Sequence, residues 1–330
     1  FPPPRFQGGG ALLAIGIWGL WIARSHFARL FRTAFQARSQ PEDTQEPLPY
    51  RMALIGAVVS FAALVYFDWH AGARFGVAVA LVGGILAYYL VWARLRAETG
   101  LGFLPFNLEI QNALVSPFGS SIFKPKEIVT LISTRWAYFP GFGESSEVIT
   151  GNALEAFKIG DAGGVNNRRL GWALIAGFAF SLVIGSYIVL TGIYHYGYSS
   201  LGMGSAYGWP SWQTRNDGGR IFEYLTTPGK PDPSGAIAFG AGALVAVVLG
   251  MMRLRFWWWP FHPLGYVAAN CWGMQEFYMP FLIGWLCKSL VIRYGGLRLY
   301  RATIPIAIGF MIGPSLNGGL WSIIELFVKG

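Results

Sequence analysis

At 330 residues the chain is long enough for one large domain, yet 54% of it is hydrophobic and only 12% is charged. An average soluble domain carries roughly 25% charged residues, so too few charges remain here to cover a water-facing surface, which excludes a soluble enzyme. The net charge of +9 does not point to nucleic acid. Lys and Arg cluster at the ends of apolar runs, as in cytoplasmic membrane loops, and no basic patch with interleaved aromatics has a soluble domain to sit on.

The chain opens Phe1-Pro2-Pro3-Pro4 with no n-region or cleavage site before the first apolar run, and reads as the C-terminal part of a longer chain. A first span runs from about Gly8 to Ala23. Ser25 to Gln36 sets Phe27, Leu30, Phe31 and Phe35 against Arg29 and Arg32, the spacing of a basic amphipathic helix in the headgroups. With the polar stretch after it, 24–51 forms a cytoplasmic amphipathic helix and loop. Met52 to Phe67 and Phe75 to Trp92 are the second and third spans, a helical hairpin with Gly83-Gly84 as a close-packing point.

The region 101–169 is punctuated by Pro105, Pro117, Pro125 and Pro140, and no apolar patch in it reaches span length. Short helices fit Glu127 to Tyr138 and Asn152 to Lys158. Broken or re-entrant half-helices and interfacial helices are equally good readings. Leu170 to Tyr194 is the clearest span, with Tyr194, Tyr196 and Tyr198 as its aromatic belt. An extracytoplasmic loop, 195–233, follows, with a short surface helix at Arg220 to Leu225. Ser234 to Met252 is the next span, and Phe256 to Pro263 a dense interfacial aromatic cluster. Leu264 to Ile292 is apolar but interrupted by Pro280, and Ala302 to Phe327 is a last span holding Pro305 and Pro314.

The fold class is therefore all-α, a polytopic bundle occupying 1–330 as a single membrane domain, with six spans and one or two broken segments. Placing basic loops inside puts Arg24 to Arg51, Arg94 to Arg169, and Arg253 with Arg255 on the cytoplasmic side. The loop with Lys288, Arg293, Arg298 and Arg301 also wants that side. A single crossing between Leu264 and Ile292 would place it outside, so this stretch is expected to enter and leave on one face, breaking near Pro280. A miscounted crossing within 101–169 is the other resolution.

Three motifs carry a resemblance: Arg94-Leu95-Arg96-Ala97-Glu98-Thr99-Gly100, the run Trp258 to Tyr266, and the run Lys288 to Arg301. In this order they resemble an uncharacterised bacterial family of oligopeptide-transporter-like membrane proteins. The resemblance implies many helices built from repeats, secondary transport of peptides or metal chelates driven by an ion gradient, and the bacterial cytoplasmic membrane. Members of that family are roughly twice as long.

Polar residues inside spans are costly and are functional candidates. Glu276, Gln275 and Asn270 lie in the broken stretch, either lining a cavity or sitting where the segment turns back. Pro314, Ser315 and Asn317, within Gly313 to Gly319, are expected to unwind the last span and free carbonyls at mid-membrane, unless they form only a packing kink. His262 between Pro260 and Pro263 is a candidate proton relay or, as the blander reading, an interfacial histidine with a structural hydrogen bond. Lys288 either pairs with Glu276 or snorkels to the headgroups. Glu109, Glu127, Glu155 and Asp161 are vestibule candidates whose default is a solvated loop. Cys271 and Cys287 would stand roughly 24 Å apart on one helix, too far for a disulfide.

His26, His70, His195 and His262 are scattered, with no metal motif, P-loop or nucleophile elbow in the chain. No cofactor and no catalytic set is expected. The leading expectation is a secondary transporter, or part of one, with lipid and a peptide or chelate as partners. The alternative is a structural subunit that packs among other membrane chains, suggested by the aromatic load of 25 Phe, 15 Tyr and 14 Trp.

Overall fold

A computed structural model describes residues 4–35, 46–100, 110–115, 118–134, 149–197, 208–270 and 272–328. Among them there is no strand. The chain divides into two compact units, Phe1–Gly273 and Met274–Gly330. The helices are α1 (Pro4–Ile22), α2 (Arg24–Phe35), α3 (Tyr50–Ala71), α4 (Phe75–Thr99), α5 (Ile110–Val115), α6 (Pro125–Ser133), α7 (Ile149–Ala162), α8 (Asn167–Tyr196), α9 (Gly208–Thr226), α10 (Pro233–Arg255), α11 (Pro263–Ala269) and α12 (Trp272–Val328).

Among the described residues, five helical runs are long and apolar enough to cross a membrane: Tyr50–Ala71, Phe75–Glu98, Asn167–Tyr196, Pro233–Arg255 and Phe277–Trp321. Counting the pair Phe6–Ile22 and Arg24–Thr33, bent by 56°, raises the number to six. The chain is an integral α-helical membrane protein. The bend sends α2 away from the α1 axis. Arg24 stacks its guanidinium over the Trp21 ring at 4.8 Å and donates to the Trp21 carbonyl at 2.9 Å, so a basic side chain satisfies a helix end.

The first unit is organised around three helices that run in the same direction. A methyl group on Gly10 would fall 1.8 Å from the Phe239 carbonyl oxygen, and one on Gly242 would fall 2.0 Å from that of Gln7. The backbones of α1 and α10 thus touch where any side chain would part them, the role small residues play in lipid. Further along, Gly16 of α1 meets Val91 of α4 and Gly19 meets Arg94. The C-terminal ends of α1, α4 and α10 therefore lie together, and they carry Arg24, Arg94, Arg96, Arg253 and Arg255. By the positive-inside rule this is the cytoplasmic face.

The segment after α4 does not stay on that face. Ile110 of α5 packs on Gly84, halfway along α4. Beyond it, Glu127 of α6 binds Arg74, at the opposite end of α4. The next helix, α7, returns to the cytoplasmic end, where Glu155 meets Arg96. The described helices of the proline-broken region are thus spread along the length of α4. Gly84, not Gly83, is the close-packing glycine. The helix expected at Arg220 to Leu225 begins earlier, at Gly208.

Two breaks lie elsewhere than expected. Helix α11 ends at Asn270, which donates its side-chain amide to the Tyr266 carbonyl at 2.8 Å and so satisfies a terminal acceptor. The chain remains helical through Pro280. It remains helical through Gly313 to Gly319 as well, so the expected unwinding at Pro314 does not occur. One proline removes one ladder hydrogen bond, a loss that membrane helices tolerate.

In the second unit the apolar run Phe277–Trp321 has 45 residues, about twice the length of one span. It breaks at Gly296, whose φ of 63° and ψ of −171° suit glycine alone. Lys288 lies over the Tyr300 ring at 5.4 Å, whereas twelve residues of straight helix would separate them by roughly 18 Å. The chain turns sharply at Gly296, and the Lys288 ammonium takes an aromatic partner across the turn.

Candidate functional site

Two features of the first unit bring together residues that chemistry can use. The first is a cavity of about 450 Å³ at the cytoplasmic ends of α1, α4 and α10, closed on its remaining side by the start of α11. Its walls are Trp18, Ile22, Val247 and Leu254, and its polar rim is Arg94, Glu98, Arg253 and His262. Arg94 and Glu98 stand one turn apart on α4, the spacing at which a helix pairs opposite charges, and the Arg94 Nε donates to Glu98 Oε1 at 2.8 Å. His262 comes from the aromatic corner after α10, where Phe256, Trp258, Trp259 and Phe261 stack in succession with centroids 5.6–5.9 Å apart.

His262 is the N-cap of α11. Its Nδ1 accepts from the Leu264 N–H at 3.0 Å, which leaves the proton of the neutral ring on Nε2. That Nε2 lies 3.6 Å from Glu98 Oε2. The motif after the third span and the aromatic motif therefore meet at one point, although more than a hundred and fifty residues separate them in the chain.

The second feature is the course of α11. From His262, beside the end of α4, the helix runs back along α1. Tyr266 Oη lies 3.4 Å from Gln7 Oε1, and a methyl on Gly8 would fall 2.8 Å from the Asn270 Cβ. Gly10 packs at Phe239, so Asn270 stands level with the first third of α10. Helix α11 is a short helix of seven residues, with Leu264, Val267 and Ala268 buried. Its deep end carries Tyr266, Gln7 and Asn270 together.

The remaining candidates are dispersed. Asn317 is exposed on the second unit. Glu276, Gln275, Pro314 and Ser315 belong to α12 by backbone, and their side chains lie outside the described residues, as do Glu109 and Cys271. Cys287 is a free, exposed thiol. Asp161 accepts from the Asn167 amide at 2.8 Å, binding α7 to the start of α8. Glu155 receives Arg96 Nε at 2.7 Å and Nη2 at 2.8 Å. That two-pronged hydrogen bond, opposed by partial burial and aided by the charge of Arg96, holds its carboxyl below the usual range.

Glu127 is wholly buried, the reverse of its solvated-loop default. Its carboxylate accepts from the Arg74 side chain, from the Arg74 N–H at 3.0 Å and from the Lys124 N–H at 2.8 Å. Burial pushes its pKa up, but these hydrogen bonds, led by the Arg74 side chain, outweigh it and leave the group below its ordinary value. The sequence held one signal for this: Glu127 stands two residues after Pro125, where a first-turn carboxylate reaches back to cap a helix.

All of the chain, residues 1–330, matches one family, described as a family of unknown function (DUF6785). The chain belongs to the DUF6785 family. No curated protein and no solved structure matches it. The family description assigns no activity to DUF6785. Among the described residues of this DUF6785 chain, no three His, Cys, Asp or Glu side chains converge to hold a metal ion.

Proposed function

We propose that this chain is a secondary transporter, or part of one, resembling oligopeptide transporters and moving peptides or small chelates by an ion gradient in the bacterial cytoplasmic membrane. The observation that carries the proposal is the short helix α11, which runs back along α1 from the arginine-bearing end and gathers Tyr266, Gln7 and Asn270 at its far end. Secondary transporters build their sites from short helices that stop at mid-membrane, where chain ends and polar side chains face a cavity. Polar side chains within membrane helices cost free energy away from water and are functional candidates by default, and here Asn270 and Tyr266 are held in place by bonds within the chain. Glu276 and Asn317 are further candidates for the pathway.

One observation favours a second reading, a structural subunit of a larger complex. The apolar window of Asn167–Tyr196 is not buried at all within the chain, so a neighbouring chain has room to dock there. Reconstitution of the full chain in liposomes separates the two. Labelled trialanine and a ferric citrate chelate serve as probes, under an acid-outside pH gradient. Uptake that a protonophore abolishes supports transport. Asn270→Ala should then lower the rate by about tenfold, the equivalent of one polar contact of about 1.4 kcal/mol. Absence of uptake of both probes, with a stoichiometric partner chain in native mass spectrometry, assigns the subunit role.

A further inference from the structure

We infer that the cavity between α1, α4 and α10 is a binding site for one anionic phospholipid, its phosphate held by Arg94 and Arg253 and its first acyl carbons lying along Trp18, Ile22, Val247 and Leu254. The proposal is independent of the transport reading, which rests on the far end of α11.

Position is the first argument. The cavity opens where three parallel helices end in arginines, beside Trp257 and Trp258, both strongly exposed. Exposed tryptophans mark the headgroup level of a membrane, and basic pockets between cytoplasmic helix ends hold anionic headgroups.

Charge is the second. Arg94 uses Nε on Glu98, and among the described residues its two Nη groups donate to nothing. Arg253 makes neither an ion pair nor a hydrogen bond there. Against these two cations stands one carboxylate, Glu98, already engaged by Arg94 and facing the His262 Nε2–H side. The rim therefore keeps one positive charge in excess with His262 neutral, and its open N–H groups match phosphate oxygens. Shape is the third argument. A volume of about 450 Å³ lies within the about 300–1,000 Å³ of small-molecule sites, and the lining is charged at the rim and apolar behind it. A hydrophilic anion would leave that apolar wall wet, whereas a phospholipid covers it.

The test uses the full-length protein in native mass spectrometry from mixed nanodiscs of dioleoyl phosphatidylglycerol and dioleoyl phosphatidylcholine. One phosphatidylglycerol should be retained in preference to phosphatidylcholine. Arg94→Gln with Arg253→Gln should weaken that preference by about tenfold or more, since each arginine in contact with the phosphate contributes at least about a factor of five. Arg255→Gln, on the same helix end but outside the cavity, should change it by less than about threefold.

Gly250→Leu provides a variant that keeps every charge. Gly250 lines the cavity, and a Cβ there meets nothing within 4 Å, so a leucine side chain extends into open space and should displace the lipid while thermal stability is kept. Equal retention of the two lipids overturns the proposal. So does equal loss in Arg255→Gln and the double variant, or undiminished binding in Gly250→Leu. Competition by soluble glycerol 3-phosphate at millimolar concentration would assign the site to a free phosphate and overturn the lipid.

Discussion

Each end of α4 carries an arginine–carboxylate pair, and the two are built in opposite ways. At the extracytoplasmic end Glu127 is fully enclosed, and its oxygens are taken up by Arg74 and by two backbone N–H groups. At the cytoplasmic end Glu98 and Arg94 are 38% and 40% exposed, and His262 stands near them without a hydrogen bond. In the first pair the carboxylate is taken up by its own chain and holds α6 against the start of α4, although Arg74 itself is half exposed and lines a surface pocket with Lys124 and Lys126. The second is open, incompletely satisfied and set in a cavity. A carboxylate whose acceptor positions are filled by its own chain serves the fold, whereas one with neighbours to spare can serve a ligand.

The sharpest way to break this comparison is Glu127→Ala. It takes the buried acceptor away from two backbone N–H groups and from the half-exposed Arg74 side chain, at a cost of about 3 kcal/mol. Unfolding in detergent should show a large loss of thermal stability, and a variant as stable as the parent would make the enclosed pair dispensable. The pH dependence follows from the same group. Because the folded value is depressed, its stabilisation is fully present above the ordinary carboxylate range and is lost as pH falls through that range to the lower folded value. Melting temperature should therefore drop on acidification in the parent, and Glu127→Gln should flatten that part of the curve.

Glu155→Gln should cost less, about 0.5–1 kcal/mol, because that carboxylate is half exposed and screened by water. The smallest effect belongs to Glu98→Gln, about 0.5 kcal/mol or less for an exposed pair one turn apart. Its consequence should appear in ligand or lipid binding, measured on the same preparation. A destabilisation equal to that of Glu127→Ala would erase the distinction between the two ends.

Much of the bundle is legible in the sequence where one period suffices. The apolar runs at α3, α4, α8 and α10 are long enough that composition alone marks them, and the arginines at their ends orient them. The basic amphipathic α2 and the tryptophan-rich corner are local patterns too. What escaped depends on partners far along the chain. Glu127 reads as a loop residue because Arg74, 53 positions earlier, is what encloses it. Proline is the obvious place to break an apolar run, yet the chain breaks at Asn270, whose side chain caps the Tyr266 carbonyl and packs at Gly8. The meeting of Glu98 with His262 is likewise a product of helix packing. The two motifs were conspicuous separately, and nothing in either announces the other.

The glycine contact between α1 and α10 has a consequence for how the protein is made. Gly10 and Gly242 fill each other's vacant space, but roughly 230 residues lie between them, and at about 5–20 residues per second a ribosome needs on the order of ten to fifty seconds to cover that distance. Through that interval α1 is already in the membrane with a bare backbone groove and Gln7 facing lipid, waiting for a helix that has not been synthesised. Helix α1 is thus locked to α10 long after it is made, and mutations that slow the delivery of α10 should expose α1 to membrane quality control before the two helices close.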